Sequence, residues 1–201
     1  AIFGIGMLGG TYLLPLYMQK GLGYTAIMAG SVFLPVGLIQ GVLSTCSGFL
    51  TRYVKPLFIA VTGILVMTLS FYFASRFTLH TTHAQIMLVL YLRGFGMGLT
   101  FAPLNDFSLM NLSQCDMASA AGISNSIKQL SGSVSIALLT VILTGRTAFH
   151  SAQGGLSSAE SYVAGISDDF LFVTFVSLAS ALPFLWLLRP RRKAGSFKSE
   201  G

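Results

Sequence analysis

Long apolar stretches separated by short polar links dominate the chain. Residues 1–19, 21–51, 57–75 and 170–188 contain no acidic or basic side chain, and charges are sparse between residues 77 and 145. A helix rises about 1.5 Å per residue, so about 20 apolar residues cross the roughly 30 Å hydrocarbon core of a bilayer. The pattern therefore predicts an all-α membrane protein whose mass lies inside the bilayer.

Six transmembrane helices are predicted, with limits set by the polar links between them. The predicted helices cover residues 1–19, 26–50, 57–76, 84–110, 116–145 and 169–188. Thr25 is suited to the N-cap of the second helix, because its hydroxyl can accept a hydrogen bond from a free backbone N–H. Pro56 is suited to the first turn of the third helix, where no N–H is needed.

The link from residue 146 to residue 167 is predicted to be the longest. Ser157 and Glu160 within it have capping-box spacing, so a short surface helix through Ala164 is expected there. Asp168 and Asp169 then fall at the N-terminal end of the sixth helix, where the helix dipole favours negative charge.

Composition and charge agree with a membrane protein. Hydrophobic residues make up 53% of the chain and charged residues 9%, whereas charged residues make up about 25% of an ordinary soluble domain. The formal charge is +6, but five of the 12 basic residues gather after the last apolar stretch, which argues against nucleic acid as the partner. We expect a transmembrane domain over residues 1–188 and a basic tail over residues 189–201.

The basic residues also predict the orientation of the chain. If the tail is cytoplasmic, the inner segments hold seven Lys and Arg residues and the outer links hold three. Cytoplasmic segments of membrane proteins are enriched in Lys and Arg, so a cytoplasmic tail is expected. The chain opens in mid-helix at Ala1, and we expect it to be a fragment or a truncated product. Cys46 and Cys115 have no spacing that would indicate a disulfide framework or a zinc site.

Small residues and prolines inside the spans indicate close helix packing or hinges. Small residues four apart allow membrane helices to approach closely, and prolines remove a backbone hydrogen bond and can kink a helix. The hinge or packing candidates are Gly6, Gly10, Pro35, Gly37, Gly41, Gly94, Gly98, Pro103 and Gly122. Ordinary packing, without any rocking of the helices, is the alternative.

An internal repeat is suggested by the first and fourth predicted helices. Residues 10–16 and residues 98–104 both carry a Thr-aromatic pair followed by Pro-Leu. The two helices cross the membrane in opposite directions, and transporters are often built from inverted three-helix repeats.

Two segments carry a resemblance to a known family. Residues 93–104 read RGFGMGLTFAPL and residues 118–133 read ASAAGISNSIKQLSGS. Both resemble signatures of the major facilitator superfamily, in its EmrB/QacA-type branch of fourteen-span drug:proton antiporters, and residues 14–19 resemble an earlier helix of that family. The resemblance implies spans nine to fourteen. The expected fold is therefore one half of a major facilitator fold, made of two inverted three-helix repeats, in a bacterial cytoplasmic (inner) membrane. The loop at residues 48–56 lacks the Asp that the family's cytoplasmic loop often carries, so no gating role is assigned to it.

Two cations are predicted deep inside spans. Arg93 lies about 10 residues from the outer end of the fourth helix, and Lys128 about 12 residues from the inner end of the fifth. A charge at the bilayer centre costs at least about 2.5–3.5 kcal/mol if it faces lipid, so both should face the bundle interior or a wet cavity. They are predicted to line a central cavity and to pair with substrate or with an acid of a missing half. Binding of helix carbonyls or of a lipid phosphate is the structural alternative.

Further candidates surround these cations. Asp106 is the only acid inside a predicted span, since Asp116 and Asp169 are the first residues of theirs. It is a candidate proton carrier, although the coupling carboxylate is expected outside this chain. Asn125 and Gln129 share a helix face one turn apart and can offer polar contacts to a ligand. Tyr12 and Phe101 can stack on an apolar compound. Helix–helix hydrogen bonding is the alternative for Asn125 and Gln129, and plain packing is the alternative for Tyr12 and Phe101.

We therefore expect part of a secondary transporter that exports hydrophobic or amphipathic compounds by proton antiport. The expected partners are the lipid bilayer, the missing N-terminal half, a small hydrophobic substrate and protons. No enzymatic activity, metal or cofactor is expected. Two alternatives stay open: a carrier of the same fold for another solute, such as a metabolite or siderophore, and a membrane partner subunit without transport of its own.

Overall fold

The computed structural model of the chain describes the backbone of residues 2–109, 114–152 and 157–188. Within these ranges it describes the side chains of residues 7–105, 117–152 and 157–181. The described residues form six α-helices and contain no strand, which confirms the all-α prediction. The helices are α1 (Ile2–Leu16), α2 (Ala26–Leu50), α3 (Pro56–Ala74), α4 (His83–Leu109), α5 (Gln114–Ala152) and α6 (Ser158–Leu188).

The helix starts follow the local signals in the sequence. Thr25 is the N-cap of α2, and its hydroxyl accepts a hydrogen bond from the Met28 N–H at 3.3 Å. Pro56 is the first residue of α3. α1 passes after Pro15 into a π-helical turn, Tyr17–Gly21, as expected where a proline disturbs the helical hydrogen bonds.

The predicted link between residues 146 and 167 is wrong. α5 continues to Ala152, and α6 begins at Ser158 instead of residue 169. The predicted capping box exists: the Ser157 N–H donates to Glu160 Oε2 at 2.7 Å, and the Glu160 N–H donates to Ser157 Oγ at 3.3 Å. It starts α6 itself rather than a short surface helix.

The early start of α6 is a consequence of packing. Val163, Ile166 and Phe170 lie at helical spacing, and each is at most 4% exposed against the rest of the bundle. Asp168 and Asp169 therefore lie inside α6, more than two turns from its N-terminus, and not at the helix end where they were predicted.

The helix contacts have an approximate two-fold pattern. α1 packs against α5 and α6, α4 packs against α2 and α3, and α3 packs against α6. Exchanging α1 with α4, α2 with α5 and α3 with α6 reproduces these contacts, as expected for two three-helix repeats. The pattern is broken because α5 and α6 pack along each other, whereas α2 and α3 barely touch within the described residues.

Five helices of the described part are long and apolar enough to cross a membrane. They are all of the helices except α1, which has 15 residues before it continues into the π-helical turn. The apolar windows of α3 and α4 are 56% buried, whereas those of α2 and α5 are only 17% and 22% buried. The exposed side chains include Ile27, Leu34, Leu38 and Val42 of α2 and Ile123, Leu130, Val134 and Val141 of α5. We name these two surfaces the α2 face and the α5 face.

The α2 face and the α5 face need an apolar environment. Contiguous apolar surface of this kind is rare on water-soluble monomers and marks contact with lipid or with other protein. Together with the apolar spans, it makes this chain an integral membrane protein.

Glycines mediate the closest helix contacts. A Cβ on Gly94 would lie 2.9 Å from Val36 Cγ1, and one on Gly98 would lie 2.7 Å from Leu43 Cβ, so this predicted pair faces α2. A Cβ on Gly10 would overlap the Phe71 ring. At these three positions the helices can lie this close together only because glycine has no side chain.

Other hinge candidates do not form contacts of this kind. A Cβ built on Gly37, Gly41 or Gly122 would have no atom of another helix within 4 Å. The close packing predicted at these glycines is therefore absent among the described residues. α2 and α4 run through Pro35 and Pro103 as continuous helices. The surroundings of Gly6 lie outside the described residues, as does the basic tail.

Candidate functional site

Arg93 is enclosed by the bundle and bonded to α1. Its side chain is 3% exposed, and its Nη2 donates to the Met7 carbonyl at 3.1 Å and to the Thr11 hydroxyl. Gly10 makes room for it, since a Cβ there would lie 3.3 Å from Arg93 Nε. The guanidinium therefore ties α4 to α1 in the interior of the chain, which is the geometry of the carbonyl-binding alternative.

Lys128 lies in a separate polar group between α4 and α5. Its Nζ donates to Asn105 Oδ1 at 2.5 Å and lies 5.8 Å from the centre of the Phe101 ring. Lys128 is half-buried, and Phe101 is 38% exposed. An aromatic face and an amide oxygen both attract a cation. We name Lys128, Asn105 and Phe101 the lysine group.

The lysine group is a link between two helices that otherwise pack on different partners. α4 packs mainly on α2 and α3, and α5 mainly on α1 and α6. The cation and the ring remain partly accessible, so the group can meet a ligand that approaches between α4 and α5.

The remaining candidates are spread over the bundle. The Tyr12 hydroxyl lies 3.2 Å from Thr140 Oγ1 and links α1 to α5. Asn125 and Gln129 are exposed on α5, on either side of the position of Lys128 in the sequence. The Asp106 side chain lies outside the described residues. The structure thus brings Lys128 and Phe101 together, and Arg93 has a different set of partners.

An ionic cluster at the end of α5 was missed by the sequence analysis. Arg146 Nε lies 3.5 Å from Asp168 Oδ2, and His150 Nε2 lies 3.1 Å from the same oxygen. Arg146 and His150 are one helical turn apart. A predicted fifth helix that continued past residue 145 would therefore have placed both on one helix face. A pocket of about 420 Å³ lies beside them, lined in part by Phe77, Ser167 and Asp168.

Asp169 was also missed as an acid inside a span. It is 0% exposed, and the helix that carries it, α6, packs against α1, α3 and α5. The sequence signal was the spacing of Tyr162, Ile166, Asp169 and Val173, which places them on one helical face. Among the described residues, no three His, Cys, Asp or Glu side chains are close enough together to hold a metal ion.

The fold and these sites define an integral membrane helix bundle with charged side chains held inside it. The sequence profile described as Major Facilitator Superfamily matches residues 1–136. The chain therefore belongs to the Major Facilitator Superfamily, a family of transporters.

Individual relatives support this assignment. An uncharacterized MFS-type transporter, YhcA, of Bacillus subtilis is 33% identical over 76% of this chain and 29% of its own length. The lincomycin resistance protein LmrB of Listeria innocua is 26% identical over 89% of the chain and 39% of its own length. The multidrug export protein EmrB of Haemophilus influenzae is 31% identical over 73% of the chain and 29% of its own length.

The chain thus covers between 29% and 39% of the length of these relatives. The resemblance to EmrB/QacA-type transporters is confirmed by them. The six-helix architecture is that of half of a major facilitator fold.

Proposed function

We propose that this chain is the C-terminal half of a proton-coupled exporter of hydrophobic or amphipathic compounds. The observation that carries the proposal is the half-buried lysine group between α4 and α5, in a chain whose relatives include proteins named for multidrug export and for lincomycin resistance. In transporters of this kind the substrate site lies near the bilayer midplane, between two halves that rock against each other. Phe101 would contact the apolar part of a substrate, and Lys128 its polar part.

The α2 face and the α5 face are the surfaces on which a companion half would dock. They carry the open glycines Gly37, Gly41 and Gly122, where a neighbouring helix can approach closely. The exposed amides Asn125 and Gln129 lie on α5 as well and would face the substrate pathway or the companion half. The lengths of the relatives support the existence of such a half.

The proposed setting is the cytoplasmic membrane of a bacterium, with the basic tail inside. This orientation rests on the excess of Lys and Arg in the tail and in the link between α2 and α3. In this orientation the ionic cluster of Arg146, His150 and Asp168 lies at the outer end of the bundle. Arg93 on α4 then lies toward the outer side of the membrane, and Lys128 on α5 lies toward the inner side.

Transport by a Lys128→Ala variant tests the proposal. The full-length protein that contains this chain is expressed in cells without other exporters, and the export of an amphipathic dye is measured at equal protein amounts. A hydrogen bond to a charged group contributes about 1.5–3 kcal/mol, so export efficiency should fall roughly tenfold or more. Lys55→Ala is the matched control, because Lys55 is exposed in the link between α2 and α3. Export by Lys128→Ala at the level of Lys55→Ala would refute the proposed role.

A carrier of the same fold for an anionic solute is the second candidate. It is favoured by the two cations inside the described bundle, Arg93 and Lys128, of which Lys128 remains partly accessible. Uptake and export of anionic and cationic compounds of similar size distinguish the two functions. A preference for anions that disappears in Lys128→Ala would support the anion carrier.

A further inference from the structure

Asp169 is a buried acid with no role in the site described above. It is 0% exposed, as are Ile166 and Phe170 beside it on α6. Eleven residues separate it from the start of α6, which corresponds to about 16 Å along the helix axis. α6 packs against α1, α3 and α5.

The two aspartates of α6 have opposite surroundings. Asp168 binds Arg146 and His150, whereas neither carboxylate oxygen of Asp169 has a hydrogen-bond partner among the described residues. A buried carboxylate without a partner costs several kcal/mol when it is ionised, and a bound proton removes that charge. The buried position of Asp169 therefore favours the protonated, neutral carboxyl group.

The titratable groups around Asp169 do not offer it a cation. On α6 these are Asp168 and Tyr162, and Tyr162 is close enough to interact electrostatically with Asp169 and with Tyr12 of α1. The described part of α3 contributes no ionisable group to this region, and Tyr17 of the π-helical turn donates its hydroxyl to the Thr78 carbonyl at 2.7 Å. On α5, Arg146 and His150 both bind Asp168, and Lys128 binds Asn105 of α4.

A pocket near the start of α6 comes close to Asp169 in the chain. The pocket of about 420 Å³ is lined by His150, Ser167 and Asp168, the last of which precedes Asp169 in the chain. Water that enters this pocket therefore reaches the residue next to Asp169 in the chain. The buried hydroxyls of Thr147 on α5 and Ser161 on α6 also lack a partner among the described residues.

We propose that Asp169 is a proton-binding site of this half, reached through the pocket beside His150 and Asp168. In the step proposed, one proton leaves water at the pocket and one O–H bond forms on the carboxylate. The bond breaks and the proton returns to water when a rearrangement of the helices hydrates the carboxyl group. The role in coupling rests on the proposed function as an exporter, but the binding of the proton does not.

Infrared spectroscopy of the reconstituted chain tests proton binding directly. At neutral pH the wild-type chain should show the C=O stretching band of a protonated carboxyl group. The band should disappear in Asp169→Asn and persist in Glu160→Gln, a control at an exposed acid that can still cap α6. Elution as a single species and unchanged helix content show that both variants fold. Absence of the band from the wild type, or its persistence in Asp169→Asn, would overturn the proposal.

Transport in vesicles tests the role in coupling. With the full-length protein, a pH gradient should accelerate export by the wild type and by the control Lys55→Ala but not by Asp169→Asn, which should still move substrate down its own gradient. If Asp169→Asn responds to the gradient as the wild type does, the coupling role is wrong while the exporter stands. If the wild type shows no response, proton antiport is wrong and the coupling role fails with it, and the infrared band still decides whether Asp169 binds a proton.

Discussion

The contact between α3 and α4 predicts a large effect of Gly96→Ala. A Cβ at this position would lie 2.8 Å from the Gly63 carbonyl oxygen, 2.8 Å from the Met67 backbone nitrogen and 3.0 Å from Met67 Cβ. None of these atoms can rotate away, because two belong to the backbone and the third is attached to it. The two helices must therefore move apart to admit a single methyl group.

The magnitude follows from two opposing terms. Alanine is a better helix former than glycine by about 1 kcal/mol. Overpacking a tight contact costs about 1–3 kcal/mol, and the backbone partners put this contact at the upper end. Separation of the helices would also weaken the hydrogen bond from Ser70 Oγ to the Val89 carbonyl, which is 2.8 Å long. We expect Gly96→Ala to lower the free energy of unfolding by about 2 kcal/mol.

The assay is thermal unfolding of the purified chain in detergent, followed by the loss of the monodisperse elution peak. Gly41→Ala is the matched control, since a Cβ there meets nothing within 4 Å, and its midpoint should equal or exceed that of the wild type. The midpoint of Gly96→Ala should lie several degrees lower. Equal midpoints for the two variants would refute the reasoning that the α3–α4 distance depends on this glycine.

Two further substitutions test buried hydrogen bonds by the same thermal assay. Thr11→Val removes the hydroxyl that accepts from Arg93 and should cost about 1.5 kcal/mol, the lower end for bonds to charged groups. Thr45→Val, which loses only a bond within α2, should cost less, and equal losses would contradict the role of Thr11. Tyr17→Phe removes the 2.7 Å bond to the Thr78 carbonyl and should cost about 0.5–1.5 kcal/mol; no loss beyond that of Tyr53→Phe, at a tyrosine 88% exposed, would count against it.

The helices themselves could be predicted because their signals are local. Thr25 caps α2 and Pro56 opens α3 where the sequence indicated, since each acts within one turn of the backbone. The sequence also indicates the capping box of Ser157 and Glu160, but the helix expected to follow it ends at Ala164, whereas α6 continues to Leu188. A capping signal shows where a helix starts and says nothing about how far packing will carry it.

The partners of the buried polar groups could not be predicted in the same way. Arg93 binds the Met7 carbonyl on α1, more than 80 residues away in the chain, and Lys128 binds Asn105 on α4. Gly96 was not among the glycines predicted to pack, although Gly94 and Gly98 on either side of it were. Which face of α4 meets α2 and which meets α3 depends on the rotation of all three helices.

The amino-acid sequence alone determined that this chain lies in a membrane, how many helices it forms and to which family it belongs. These properties follow from apolar length, helical caps and short motifs, which act over neighbouring residues. The tertiary structure decided which cation is tied to α1, which cation remains accessible between α4 and α5, and that Asp169 is enclosed while Asp168 is paired. Those outcomes depend on contacts between residues far apart in the chain, and the cost of burying a charge can be judged only after its neighbours are known.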